Sequence, residues 1–175
     1  LQRNPDSADF HFNLGTAYDK LGRFDELVSE MQEAIRLDPR HADALNYLGY
    51  TFAERDMRLE EAAGLIQRAL VIKPQNGYYL DSLAWAYFKM GRLQEALEEM
   101  KRAVAVVPDD PVFFEHLGEI YLINNLLNDA REAWLRSLEL DPMNRKLADR
   151  FKAKGFGDPA TDERIRKAQQ RLSQK

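Results

Sequence analysis

Five prolines fall on a ladder: Pro5, Pro39, Pro74, Pro108 and Pro142, spaced by 34, 35, 34 and 34 residues. A fixed period in this range means stacked copies of one supersecondary unit, each burying its apolar face against the next. Each proline closes a similar pentapeptide: LQRNP, IRLDP, LVIKP, VAVVP and LELDP. Proline lacks the N–H that a continuing helix needs, and it pushes the residue before it out of helical backbone. The ladder therefore predicts a helix stopping just short of each proline.

Other positions recur in phase with the prolines. Leu, a small residue and an aromatic repeat as Leu14-Gly15…Tyr18, Leu48-Gly49…Phe52, Leu83-Ala84…Tyr87 and Leu117-Gly118…Tyr121. That spacing puts them on one helical stripe, where the small residue lets a neighbouring helix approach closely. A turn is expected at Gly22, Gly91 and Asn125, residues that tolerate left-handed backbone. A second helix then carries Leu27/Met31/Ala34, Ala62/Ile66/Ala69, Ala96/Met100/Ala103 and Ala130/Trp134/Ser137. The second copy departs from the pattern, with one extra residue in Arg55-Asp56-Met57-Arg58 and no turn glycine. Gly64 falls mid-helix, at a cost of about 1 kcal/mol against Ala, with no functional reading.

Composition narrows the function classes. The chain has 175 residues, 45% hydrophobic and 31% charged, enough apolar material for a core and unlike a disordered profile. No run approaches the ~20 apolar residues of a membrane span. The absence of cysteine removes disulfides, thiolate catalysis and Cys-based metal sites. His11, His41 and His116 lie far apart and form no metal-binding spacing, so neither metal nor cofactor is expected. A net charge of −4 has the wrong sign for a generic nucleic-acid binder.

The recurring Leu-Gly, Tyr, Gly, Ala and Pro resemble the signature of the tetratricopeptide repeat family. Four copies match, over 8–41, 42–76, 77–110 and 111–144. The resemblance implies an all-α fold: an α-solenoid of four helix-turn-helix repeats wound into a right-handed superhelix. Residues 1–7 read as the end of a truncated preceding repeat, which would make the chain a piece of a longer array. After Pro142 the period fades. Residues 145–157 are expected to form a capping helix and turn, with Leu147 and Phe151 on its apolar face and Gly155 ending it. A tail helix over 158–175 should start at Asp158-Pro159, as N-cap and first position.

Charge is unevenly distributed. Residues 1–144 hold 15 Lys/Arg and 25 Asp/Glu, and residues 145–175 hold 10 and 4. A basic tail behind an acidic array can dock onto it, in cis or from another copy, or stay solvated.

In the family, the first helix of each repeat lines a groove that takes an extended peptide or a partner's helix. Carried over residue by residue, the groove positions include Asp9, Phe12 and Asp19 in the first repeat and Asp43, Asn46 and Tyr50 in the second. The third supplies Tyr78, Asp81, Trp85 and Phe88, and the fourth Glu115 and Glu119. With Glu54, Lys20 and Lys89 also at such positions, seven carboxylates face two lysines. The implied partner is a protein or peptide with apolar anchors and Lys/Arg, with aromatic burial setting affinity and charge setting partner choice. Phe12 and Thr16 stand where the clamp of carboxylate-gripping co-chaperones would need Lys or Asn, so a C-terminal carboxylate is a poor ligand.

No phosphate loop, nucleophile elbow or HExxH occurs, and the pairs Glu60/Glu61, Glu98/Glu99 and Asp109/Asp110 read as solvated helix faces and helix starts. No catalytic residue is assigned. The expected function is a non-catalytic interaction scaffold. The alternatives are a self-assembly module, making a homo-oligomer through its N-terminal edge and basic tail, and an accessory domain of an enzyme. Stretches such as GYYLDSLAWAYFKMGRLQEAL (77–97) also resemble the repeat arrays of bacterial cell-envelope lipoproteins.

Overall fold

A computed structural model describes residues 7–173, in which every regular element is an α-helix. The reading of residues 1–7 as the end of a preceding repeat lies, Ser7 apart, outside the described residues. Four first helices of 13 residues each are α1 (Ala8–Lys20), α3 (Ala42–Glu54), α5 (Gly77–Lys89) and α7 (Pro111–Ile123). Four second helices of 14 residues each are α2 (Phe24–Leu37), α4 (Leu59–Ile72), α6 (Leu93–Val106) and α8 (Leu127–Leu140). The chain closes with α9 (Arg145–Ala153) and α10 (Pro159–Leu172).

The proline ladder acts as expected. Each second helix ends two residues before its proline, and the intervening Asp38, Lys73, Val107 and Asp141 adopt φ near −130° with ψ between 79° and 96°. That is the extended backbone a following proline enforces. The next helix then starts on a side-chain cap. Asn76 accepts from Tyr78 and Tyr79 N–H, Asp110 from Val112 N–H, and Asn144 from Leu147 N–H.

The chain divides into two compact units, residues 1–91 and 92–175. In the first unit α1 pairs with α2 and α3 with α4, while α5 packs on both α3 and α4. Leu27, Met31, Leu45, Leu48, Phe52 and Ile66 are sealed in its core. Gly49 sets the α3–α4 spacing, since a Cβ there would stand 2.7 Å from both the Ala62 carbonyl oxygen and Ile66 Cγ1. The longer second-repeat turn manages without glycine by placing Asp56 and Arg58 at φ 53° and 46°. Left-handed backbone costs most side chains about 1–2 kcal/mol. Here Lys89 Nζ holds Asp56 at 3.0 Å, and the Arg58 guanidinium lies 5.2 Å from the Phe52 ring centre.

In the second unit α6 packs on α7, α7 pairs with α8, and α9 and α10 both pack on α8. Trp134 is fully buried and takes the space Gly118 leaves open, with its indole N–H donated to the Glu115 carbonyl at 3.1 Å. The final turn of α9 is closed by Gly155 at φ 72°. Gly155 N–H bonds back to Lys152 and Phe156 N–H to Phe151, a doubly bonded helix stop. The Phe156 ring then meets Phe151 and Trp134 edge-on, at 5.6 and 5.9 Å between centres.

The tail is docked in cis. Arg131 of α8 bonds the Phe156 carbonyl at 3.0 Å and the Asp158 carboxylate, while Arg164 of α10 reaches Glu139 at 2.8 Å and Glu132 at 3.3 Å. Asp158 and Thr161 cap each other reciprocally at the start of α10.

Candidate protein-interaction site

The first helices of residues 1–91 form a wall of carboxylates and aromatic rings. Phe12 of α1 is half-buried, with its ring 5.1 Å from that of His41 and edge-on to Tyr47 at 6.0 Å. His41 caps α3 by accepting Ala44 N–H at Nδ1, so its proton lies on Nε2, which donates to exposed Asp9 at 3.1 Å. Tyr47 donates its hydroxyl to Asp19 at 2.7 Å. Tyr79 of α5 donates to Asp43 of α3, whose carboxylate also holds Lys73 Nζ at 3.2 Å. Trp85 of α5 donates its indole N–H to Glu54 of α3 at 2.8 Å.

One pattern repeats in these contacts: a carboxylate on one first helix accepts from a phenol or indole on the next. At Asp19 and Glu54 the neutral aromatic donors satisfy the carboxylates without cancelling their charge, so this part of the wall stays acidic, while Asp43 also holds Lys73. The tyrosines record this field. Burial pushes the Tyr47, Tyr50 and Tyr79 hydroxyls well above the usual phenol range. Asp19 adds to the effect for Tyr47, Glu54 and Asp81 for Tyr50, and Asp43 for Tyr79. Asp43 moves the other way: partial burial opposes its ionisation, but the bonds from Tyr79 and Lys73 outweigh it and hold the acid below the usual range.

Of the aromatic residues expected at groove positions, those of α5 are at least partly exposed. Tyr78 is 56% exposed, and Trp85 and Phe88 are partly exposed and stacked, 5.0 Å between centres at 21°. Lys89 Nζ lies 5.6 Å from the Trp85 ring centre. Tyr50 is half-buried and lines a pocket with Asp19 and Glu54. Asn46 is half-buried, and its side-chain oxygen is enclosed without a hydrogen-bond donor among the described residues.

Three expected groove residues are buried or engaged within the chain. Asp81 is only 6% exposed, because α5 packs on both α3 and α4 and most of its circumference is covered. Glu115 and Glu119, in the second unit, are held by α9. Arg150 pairs with both, at 3.5 Å to Glu115, and Asn144 donates to Glu115 at 3.1 Å. Conversely, His41, Tyr47, Tyr79 and Arg55 belong to the wall or its pocket, yet repeat spacing does not single them out. Their helix positions are not groove positions of the repeat pattern, and only pairing between helices reveals them. Among the described residues no three His, Asp or Glu converge as a metal would require, and no helix is long and apolar enough to cross a membrane.

Paired helices at this period, stopped by prolines and spaced by small residues, define a repeat protein. The chain belongs to the tetratricopeptide repeat family, whose signatures match residues 8–41, 28–77 and 82–144. Proteins of this family are in general non-catalytic interaction scaffolds with protein partners. Among curated proteins it is similar to the TPR repeat-containing protein PA4667 of Pseudomonas aeruginosa, 30% identical over 92 residues. It also matches the small glutamine-rich tetratricopeptide repeat-containing protein 2 of Mycosarcoma maydis, 25% identical over 84 residues. These matches take in 53% and 48% of the chain but span only 16% and 24% of the relatives' own lengths. Solved structures of MamA share the fold. One aligns over 98% of this chain and 96% of its own at a TM-score of 0.70 and 18% identity. Another, MamA from Desulfovibrio magneticus RS-1, covers 79% and 78% at 0.69 and 20%. Nothing in these likenesses speaks to a cell-envelope location.

Proposed function

We propose that this chain is a non-catalytic scaffold that binds a peptide or helix of a partner protein on the acidic, aromatic first-helix wall of residues 1–91. The observation that carries this reading is the partly exposed Trp85–Phe88 stack with Tyr78 on the same helix, beside Asp19 and Glu54, which accept from neutral aromatic donors, and Asp43, which also holds one lysine. Partly desolvated aromatics are the usual anchors of an interface. The surrounding charge favours segments that carry Lys or Arg.

The test is a peptide selected against the chain from a displayed library. Trp85→Ala is expected to weaken it about tenfold or more, the loss of one hot-spot residue. Because Trp85 also bonds Glu54, Tyr78→Ala serves as a second variant that removes a side chain more than half exposed. Unchanged affinity in both variants, with melting curves like the parent's, would remove this reading. Self-assembly through the basic tail is the less favoured alternative, since Arg164 already holds Glu132 and Glu139 of its own chain.

A further inference from the structure

A pocket of about 420 Å³ opens between α1 and α3, lined by Asp19, Tyr47, Tyr50, Thr51, Glu54 and Arg55. Its chemistry is two carboxylates and two phenol rings. Asp19 accepts from Tyr47 and Glu54 from Trp85, and the Glu54 charge helps hold the Tyr50 hydroxyl in its neutral form. Both donors are neutral, and neither carboxylate has an ion-pair partner among the described residues. Arg55 shares the lining without supplying one, since its guanidinium carbon sits 4.3 Å from the centre of the Phe24 ring.

The chain's other unit displays what satisfies a comparable set of groups. There Arg150 reaches Glu115 and Glu119 through its two terminal nitrogens, with its guanidinium carbon 4.8 Å from the Trp134 ring centre. One planar cation thus bridges two carboxylates and covers an aromatic face. Guanidinium suits this better than ammonium: it is flat, more weakly hydrated, and presents its donors as a rigid fork.

We infer that the α1–α3 pocket takes the guanidinium of an arginine carried by a segment of the partner protein. This rests on the scaffold reading and supplies its charged anchor, as Trp85 and Phe88 supply the apolar one. Asp19 and Glu54 accept the fork, and Tyr47 and Tyr50 offer ring surface. A neutral side chain in the same place would desolvate two carboxylates without compensation.

The experiment titrates N-acetyl-arginine amide, and separately its lysine and citrulline counterparts, into the isotope-labelled chain and follows amide resonances. The expected result is saturable shifts at Tyr47, Tyr50 and Thr51 with arginine, weaker ones with lysine, and none with citrulline, which keeps the shape but not the charge. The double variant Asp19→Asn/Glu54→Gln should weaken the arginine response by about tenfold or more, as expected for charge-assisted hydrogen bonds. Equal responses to arginine and citrulline, a comparison needing no variant, would overturn the inference. So would shifts spread over other acidic faces such as Glu60 and Glu61.

The two readings fail separately. A selected peptide that depends on Trp85 but tolerates citrulline for each of its arginines sinks the pocket and leaves the scaffold. Arginine amide filling the pocket, while Trp85→Ala and Tyr78→Ala leave the selected peptide's affinity unchanged, supports the pocket and removes the aromatic anchor. A dimer seen by light scattering and lost in the double variant would place a second copy's arginine there and overturn the assignment to a foreign partner.

Discussion

Gly49 and Gly64 lie in the paired helices α3 and α4, and the same substitution should affect them in opposite directions. A Cβ at Gly49 would meet the Ala62 carbonyl oxygen and Ile66 Cγ1 at 2.7 Å, and the backbone oxygen cannot yield without moving the helix. Gly49→Ala should therefore cost about 2 kcal/mol, the usual range for overpacking. A Cβ at Gly64 meets nothing within 4 Å. Gly64→Ala removes backbone freedom from the unfolded chain and should stabilise by about 0.5–1 kcal/mol. Urea midpoints of the two variants should move apart, down for the first and up for the second. A drop for Gly64→Ala would point to a role for that glycine which packing does not show.

Among the elements, α10 is joined to the rest of the chain through the buried ring of Phe156. It packs with Ile165 against the second unit's core, with Ala168 buried, and adds polar links from Arg131 and Arg164, while Phe156, just upstream, is wedged against Trp134 and Phe151. Exposed ion pairs contribute little, about 0–1 kcal/mol each. The buried ring of Phe156 holds the junction more strongly than they do. Phe156→Ala should cost about 3 kcal/mol and release α10 first, seen as faster amide exchange from Ile165 to Ala168. Amides of α1–α4 should keep their protection, because a repeat array is stabilised by neighbour contacts. Loss of protection in α1–α4 as well would show a cooperativity that neighbour packing does not predict.

For the whole molecule, the tyrosine–carboxylate pairs set an alkaline limit. An unfolded tyrosine ionises near pH 10. Tyr47, Tyr50 and Tyr79 ionise higher in the folded chain, through burial and the charges of Asp19, Glu54, Asp81 and Asp43. The stability linked to their neutral forms is complete below the unfolded value and falls as pH rises through the folded ones. Helical circular dichroism should therefore collapse above pH ~10. Tyr47→Phe/Tyr79→Phe should be somewhat less stable near neutral pH, yet unfold at a higher pH than the parent. An alkaline midpoint left where it was would show that other groups set the limit.

The all-α class, the paired helices and their proline-stopped ends were legible from the sequence, because they follow from local chemistry: proline stops, helical spacing and turn residues act within a few positions. The groove placement of Tyr78, Trp85 and Phe88 came from the resemblance to the repeat family, whose first helices line the groove. Tertiary structure alone decided which acidic residues are buried or paired within the chain. Asp81 disappears into the packing of α5, Glu115 and Glu119 are claimed by Arg150 from α9, and Asp19 acquires Tyr47 from the next first helix. A side chain's partner across helices depends on how the helices pack, and no spacing along the chain encodes that.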